Sequence, residues 1–302
     1  MLKVLTLGLA LLAISFVGSA QNTISNASNT MPVAVKGMHD SWSNLLNNNV
    51  ITINNGHSTA VDYLAMQKQH TELTDYLAML TAVTQSEFDS WNKPKQLAFL
   101  INAYNAWTVG LIVSNLNSKD NATHSVKSIK DLGSFFSSPW NKDFIPLLGK
   151  IRSLNDIEHG LIRGAVDKQG NATYNDPRIH FAVNCASIGC PALREEAYTG
   201  DKLRQQLEQQ TVRFLSDSSR NFAKGDNLNV SSIFKWYGDD FTKGFNNANS
   251  LEAFFLLYGQ ALNLTLAQKQ ALNSGDMDIN FLDYNWDLNS GKTNNSDLNA
   301  SH

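Results

Sequence analysis

The sequence predicts an α+β protein, a mainly helical single domain carrying a small antiparallel β-sheet. Three observations point there. Apolar residues recur at helical spacing through the first half of the chain. One long segment, 97–113, is apolar on every side, as a central buried helix requires. Two glycine turns, at Gly149 and at Gly225-Asp226, each separate a pair of short runs in the manner of hairpins.

Taken in order, "HDSWSNLLNNNV" places Trp42, Leu45, Leu46 and Val50 on one helical stripe, and "HTELTDYLAMLTAV" does the same with Leu73, Tyr76, Leu77 and Leu80. Pro94 stands at the start of the long apolar helix, where its missing N–H costs nothing. Asn102 and Asn105 interrupt that helix three residues apart, on one face. A buried amide without a partner costs about 1–3 kcal/mol, so both need partners. Either they tie neighbouring loops to the core or they line a pocket.

"FIPLLGKIRSL" reads as a hairpin about Gly149. "SLNDIEHGLIRG" reads as a short helix with Ser153 as N-cap and Asp156 completing a capping box. Ile157 and Leu161 are expected to face inward, His159 and Arg163 to pair at i, i+4, and Gly164 to suit the C-terminal end. Glu158 beside His159 is either a solvated face or an acid/base pair. "RIHFAVN" alternates, with Ile179, Phe181 and Val183 on one side and Arg178, His180 and Asn184 on the other, which is strand periodicity.

Residues 201–215 form an amphipathic helix through Leu203, Leu207, Val212 and Leu215. "SSIFKWYGDDF" and "SLEAFFLLYGQAL" return to helix after the Gly225-Asp226 hairpin, and Phe234, Trp236, Tyr237 and Phe241 read as core rather than a ligand platform.

The ends define the compartment. Lys3 precedes an apolar run of 14 residues at 4–17, and Gly18 and Ala20 stand before Gln21. This is the pattern of a secretory signal peptide over 1–20, too short to span a bilayer comfortably. Residues 21–38 and 290–302 are polar and aperiodic, expected as flexible tails around a globular domain at 39–289. The expectation is a periplasmic or secreted protein with no stable membrane insertion after signal cleavage. The formal charge is −3, with 24 basic and 27 acidic residues and no basic run. That argues against a nucleic-acid partner, which needs clustered Lys and Arg.

The chain holds two cysteines, both in "CASIGC". An exported chain with two cysteines usually pairs them, so a Cys185–Cys190 disulfide is the favoured reading. Gly189 would make the tight return and Pro191 fix the exit. The other reading makes Cys185 a nucleophile. His180, five residues away, is poorly placed as its base, and His159 is the better candidate. Zinc is disfavoured, because two Cys lack partners at ligand spacing. Neither a metal nor a cofactor is implied.

Five blocks carry a family resemblance: "LAFLINAYNAWTV", "SLNDIEHGLIRG", "DPRIHFAVNCASIGCPALREEAY", "LNVSSIFKWYGDDF" and "FLDYNWDLN". Together they resemble the domain of unknown function 547 family, which implies a shared fold and no particular reaction. Leu100 stands where that family favours Trp, and Asn285 where it favours Asp. Two function classes follow. One is a disulfide-stabilised, exported binding or interaction module with a polar cleft. The other is a hydrolase or transferase using His159 as acid/base, with Glu158 beside it as a catalytic candidate and Asn102, Asn105, Arg178, His180 and Asn184 as candidate pocket residues.

Overall fold

The computed structural model describes residues 37–116, 126–133 and 138–291. The expected signal peptide, nearly all of the 21–38 segment, and the tail from 292 onward lie outside the described residues. Helix α1 (Asp40–Asn49) leads into a hairpin of β1 (Val50–Ile53) and β2 (Ser58–Val61). Four helices follow: α2 (Tyr63–Lys68), α3 (His70–Ala82), α4 (Gln85–Ser90) and α5 (Lys93–Ser114). The expected stripes of α1 and α3 are buried, with Trp42 stacked on Tyr76.

Pro94 sits in the first turn of α5, and Asn92 caps it by accepting from the Lys95 N–H. Helix α5 is apolar enough to cross a bilayer by length and composition, yet its side chains are buried in protein. It is the axis of the first apolar core, with α2 and α3 packed against it and α1 packed against those two.

The Gly149 hairpin forms as expected, with β3 (Ile145–Leu147) and β4 (Lys150–Arg152) joined through left-handed Leu148 and Gly149. A π-helical turn follows at Asp156–Ile162, then a 3₁₀ helix at Pro177–Phe181. Helix α6 (Leu203–Leu215) turns Leu203, Leu207, Phe214 and Leu215 inward, whereas Val212 is 42 % exposed and lies off the stripe expected for it.

Strands β5 (Phe222–Lys224) and β6 (Asn227–Ser231) form the second expected hairpin, with Gly225 in the left-handed region. Helices α7 (Ile233–Trp236), α8 (Gly238–Phe241), α9 (Leu251–Leu257) and α10 (Leu266–Ser274) then build a second core rich in phenylalanine. Strand β7 (Asp278–Leu282) pairs parallel to β6, so this sheet is mixed rather than purely antiparallel. The intervening helices supply the long crossover that a parallel return needs. The protein is mainly helical α+β, as its sequence predicts.

Two expectations need correction. "RIHF" is not a strand. Pro177 presets φ, and the Asp176 carboxylate caps the segment by accepting from the Arg178 N–H, so the backbone closes into three residues per turn. Alternation then loses its meaning, and Arg178 and His180 diverge by about a third of a turn. The second correction concerns "DIEHGLI". Its capping box forms, with Ser153 Oγ accepting from the Asp156 N–H and Asp156 Oδ2 from the Ser153 N–H. The turn beyond it is π, with the Arg163 N–H donating to Glu158 O. An extra residue per turn puts Ile157 and Ile162, five apart, on the buried face, and leaves Leu161 only partly buried. Gly164 is required there: any Cβ would collide with His159 O.

Candidate functional site

A cavity of about 190 Å³ opens between the two cores, where Tyr104 and Val183 of the first meet Ile233 and Tyr237 of the second. The π turn presents Glu158 and His159 to it. Glu158 is 7 % exposed, and its Oε1 accepts from the Tyr237 hydroxyl at 2.9 Å. The Tyr104 hydroxyl interacts with the same carboxylate. Burial, and then the Glu158 charge, pushes both phenols well above their ordinary pKa, so both remain donors.

His159 is exposed, and its Nδ1 lies 2.7 Å from Arg163 Nη1. A guanidinium only donates, so in this contact Nδ1 accepts and Nε2 is the ring nitrogen that carries the proton. The i, i+4 pair expected from the sequence is thus present, and it fixes the tautomer. The same Arg163 donates through Nε to Asp240 Oδ2 at 2.6 Å. Its guanidinium also lies over the Tyr237 ring at 4.7 Å.

His180 is buried and stacked on Tyr237, with ring centroids 4.0 Å apart, and its Nε2 donates to Asp240 Oδ2 at 2.8 Å. Burial outweighs the Asp240 hydrogen bond and lowers its pKa, favouring the neutral ring. For Asp240 the balance goes the other way. Burial alone would raise its carboxyl, but hydrogen bonds from His180, Arg163 and Lys243 hold it well below the usual carboxylate range.

The opposite wall is aromatic. Trp286 packs edge-on to Trp140 at 5.6 Å, stacks on Trp236 at 5.7 Å and touches Tyr284 at 4.5 Å. Trp236 remains 46 % exposed. The quartet Phe234, Trp236, Tyr237 and Phe241 therefore divides: the two phenylalanines are core, while Trp236 and Tyr237 line the cavity.

The remaining wall is the Cys185–Cys190 disulfide, and no free cysteine occurs among the described residues. The left-handed residue of its loop is Ala186, not Gly189. Gly189 is needed because a Cβ there would meet the Tyr284 ring at 2.8 Å and Asn285 O at 2.9 Å. The "FLDYNWDLN" block clamps the loop. Gly189 and Ile188 donate to Asn285 O and Asp287 O, and Asn289 donates to Ala186 O. Asn285 uses its side chain to accept from the Asp287 N–H.

Of the residues singled out in the sequence, Glu158, His159, His180, Cys185 and Cys190 meet in this cavity. Asn102, Asn105, Arg178 and Asn184 do not line it. Asn102 exchanges two hydrogen bonds with the Tyr198 backbone. Asn105 donates to Ala182 O and accepts from the Asn184 N–H, while Asn184 Nδ2 donates to Pro191 O. Arg178 forms a bidentate pair with Asp176 and reaches Glu208 on α6. Sequence reasoning assigned no role to Tyr104, Asp240, Trp140, Tyr284 or Trp286. All but Trp140 lie in quoted blocks, but no local spacing announces their convergence.

Residues 88–215 match the family described as "Protein of unknown function, DUF547", which supports the resemblance read from the sequence. The match includes Tyr104, the π turn, His180 and both cysteines, and it ends before Trp236, Asp240 and Tyr284. No curated protein and no solved structure matches the chain.

Proposed function

We propose that the protein is an exported, disulfide-stabilised binding module that takes a small organic ligand in the Glu158 cavity. The observation supporting this is the opposition of an aromatic wall to a buried carboxylate. Trp236 offers an uncovered face for stacking, while Glu158 accepts hydrogen bonds from a hydroxyl or amine. At about 190 Å³ the space suits a ligand smaller than a typical drug, one ring or a short chain.

A thermal-shift and calorimetric screen of small polar ligands tests the reading. A true ligand stabilises the wild type and binds about tenfold or more weakly to Trp236→Ala and to Glu158→Gln. Equal binding to all three proteins would place the site elsewhere. Export is tested by sequencing the N-terminus of the mature protein, expected at Gln21.

A second reading, a hydrolase or transferase, draws on one specific arrangement. Arg163 holds His159 as an Nε2–H donor beside the Glu158 acceptor, so adjacent residues offer a proton donor and a proton acceptor to one ligand. Turnover of a chromogenic ester or amide panel, lost in both Glu158→Gln and His159→Ala while ligand binding survives in the latter, would favour catalysis over binding.

A further inference from the structure

We propose that the Cys185–Cys190 disulfide is redox-active and exchanges with a small thiol entering the cavity. This rests on the reading that the cavity admits a small ligand, and adds a chemistry that simple binding does not need.

The two sulfurs are unequal. Both line the cavity, but Cys185 is partly exposed and Cys190 is buried at 6 %. The Ser187 and Tyr284 hydroxyls also reach Cys185 Sγ, at 3.2 and 3.3 Å, so what singles out Cys190 Sγ is the further N–H donor it has in Cys185. From Cys190 Sγ the Cys185 N–H lies at 2.9 Å, the Tyr284 hydroxyl at 3.2 Å and the Ser187 hydroxyl at 3.5 Å. Burial pushes the Tyr284 phenol well above its ordinary pKa, so it stays protonated. Arg220, itself paired with Asp217 at 2.8 Å, ties down the same loop by donating to Cys190 O at 2.6 Å. Such an arrangement receives negative charge on Cys190 sulfur and offers Cys185 sulfur to attack.

The exchange then runs in two steps. A thiolate RS⁻ attacks Cys185 Sγ, forming an R–S–Sγ bond as the Cys185–Cys190 bond breaks. The electron pair leaves on Cys190 Sγ as a thiolate held by those three donors. A second RS⁻ attacks the sulfur of the bound R group and releases RSSR, leaving Cys185 as a thiolate that takes up a proton. Two thiols are oxidised and the protein disulfide is reduced, two electrons in all. The loop survives reduction because its backbone is already clamped by residues 285–289. In the chain-entropy model a disulfide closing so short a loop stabilises by about 2 kcal/mol, at the low end for disulfides.

The test uses cysteamine as the thiol, on the folded protein, with acid quenching and peptide mass spectrometry. The expected adduct is on Cys185 and not on Cys190; in Cys190→Ser, cystamine (the disulfide of the same thiol) should load Cys185 by exchange, releasing one cysteamine, and the adduct should persist because no neighbouring thiol displaces it. Tyr284→Phe is expected to slow reduction of the otherwise wild-type protein about tenfold. In Cys185→Ser the lone Cys190 thiol, followed by thiolate absorbance, should titrate below the ordinary value of about 8.5, and adding Tyr284→Phe should raise it. Kinetics of Tyr284→Phe decide the matter even where a cysteine variant fails to fold. Reduction that occurs only in denaturant, an adduct on Cys190, or an unchanged rate in Tyr284→Phe would overturn the proposal. Trp236→Ala separates the two ideas. Loss of ligand binding with no cysteamine exchange in the wild type leaves the binding site and removes the redox role. Exchange that proceeds unimpaired in Trp236→Ala, with no cavity ligand found, removes the binding site and keeps the disulfide chemistry.

Discussion

Asn102 and Asn105 on α5, and Glu158 and His159 on the π turn, are both polar pairs on helical elements packed into the core, and they end in opposite conditions. Each asparagine is spent on a crossing backbone, donating to one peptide group and accepting from the same or a nearby one. Both are buried away from the cavity, so neither is offered to a ligand. Glu158 is also buried, but its partners are side-chain hydroxyls at the edge of a cavity, and His159 bonds Arg163 through Nδ1, which leaves the proton on Nε2. A saturated polar pair in a core holds segments together. A partly engaged pair beside an opening can meet something from outside.

Substitutions and pH can break or sharpen this contrast. The largest effect is expected on the asparagine side. Asn102→Ala strands the Tyr198 N–H and C=O, and Asn105→Ala strands the Asn184 N–H and Ala182 C=O. Two buried orphans each make a loss of about 4 kcal/mol in urea denaturation the expected outcome. A loss under about 1 kcal/mol would mean that these amides are not the ties they look to be.

Acid comes next. Burial, and then Lys95, lowers the His39 pKa to about 4, and burial lowers that of His180. For both, the unfolded state takes the proton first. Stability should therefore be intact above pH about 6.5 and fall as pH drops toward 4, with His39 alone contributing up to about 3 kcal/mol. Further acidification should remove the contribution of Asp240, whose folded carboxyl titrates below its unfolded value. Denaturation midpoints across pH 7 to 3 measure this, and a flat profile between 6.5 and 4 would contradict it.

Arg178→Ala removes a buried guanidinium from Asp176 and Glu208 and is expected to cost about 2 kcal/mol or more. At the cavity the smallest effects on folding are expected. Glu158→Gln keeps an oxygen for Tyr237 and should shift stability by less than about 1 kcal/mol, and His159→Ala, at an exposed position, by less than about 0.5 kcal/mol. If His159→Ala unfolds the protein as severely as Arg178→Ala, the division between ties and site collapses.

Periodicity alone located α1, α3 and α5, because a helix buried along a stripe or on all sides must write that burial into residues three and four apart. The two hairpins were legible for a different reason: left-handed turns demand Gly at positions such as Gly149 and Gly225. The capping box at Ser153 and the pairing of the two cysteines were legible too, since their partners lie within a few residues. Local chemistry misled at "RIHF", where a Pro-initiated, Asp-capped 3₁₀ turn overrode a short alternating pattern.

What the sequence determined by itself is therefore whatever one segment can settle alone: helix stripes, tight turns, caps and a six-residue cysteine loop. Only the tertiary structure decided that a π turn rotates Glu158 inward, that Asp240 meets His180 from 60 residues away, and that Tyr284 reaches the cysteines across more than 90. It also sent Asn102, Asn105 and Arg178 to structural work while bringing Trp140, Trp236 and Trp286 together as a wall. The physical reason is that convergence of distant side chains is fixed by how two apolar cores pack against each other, and no periodicity within a single segment records it.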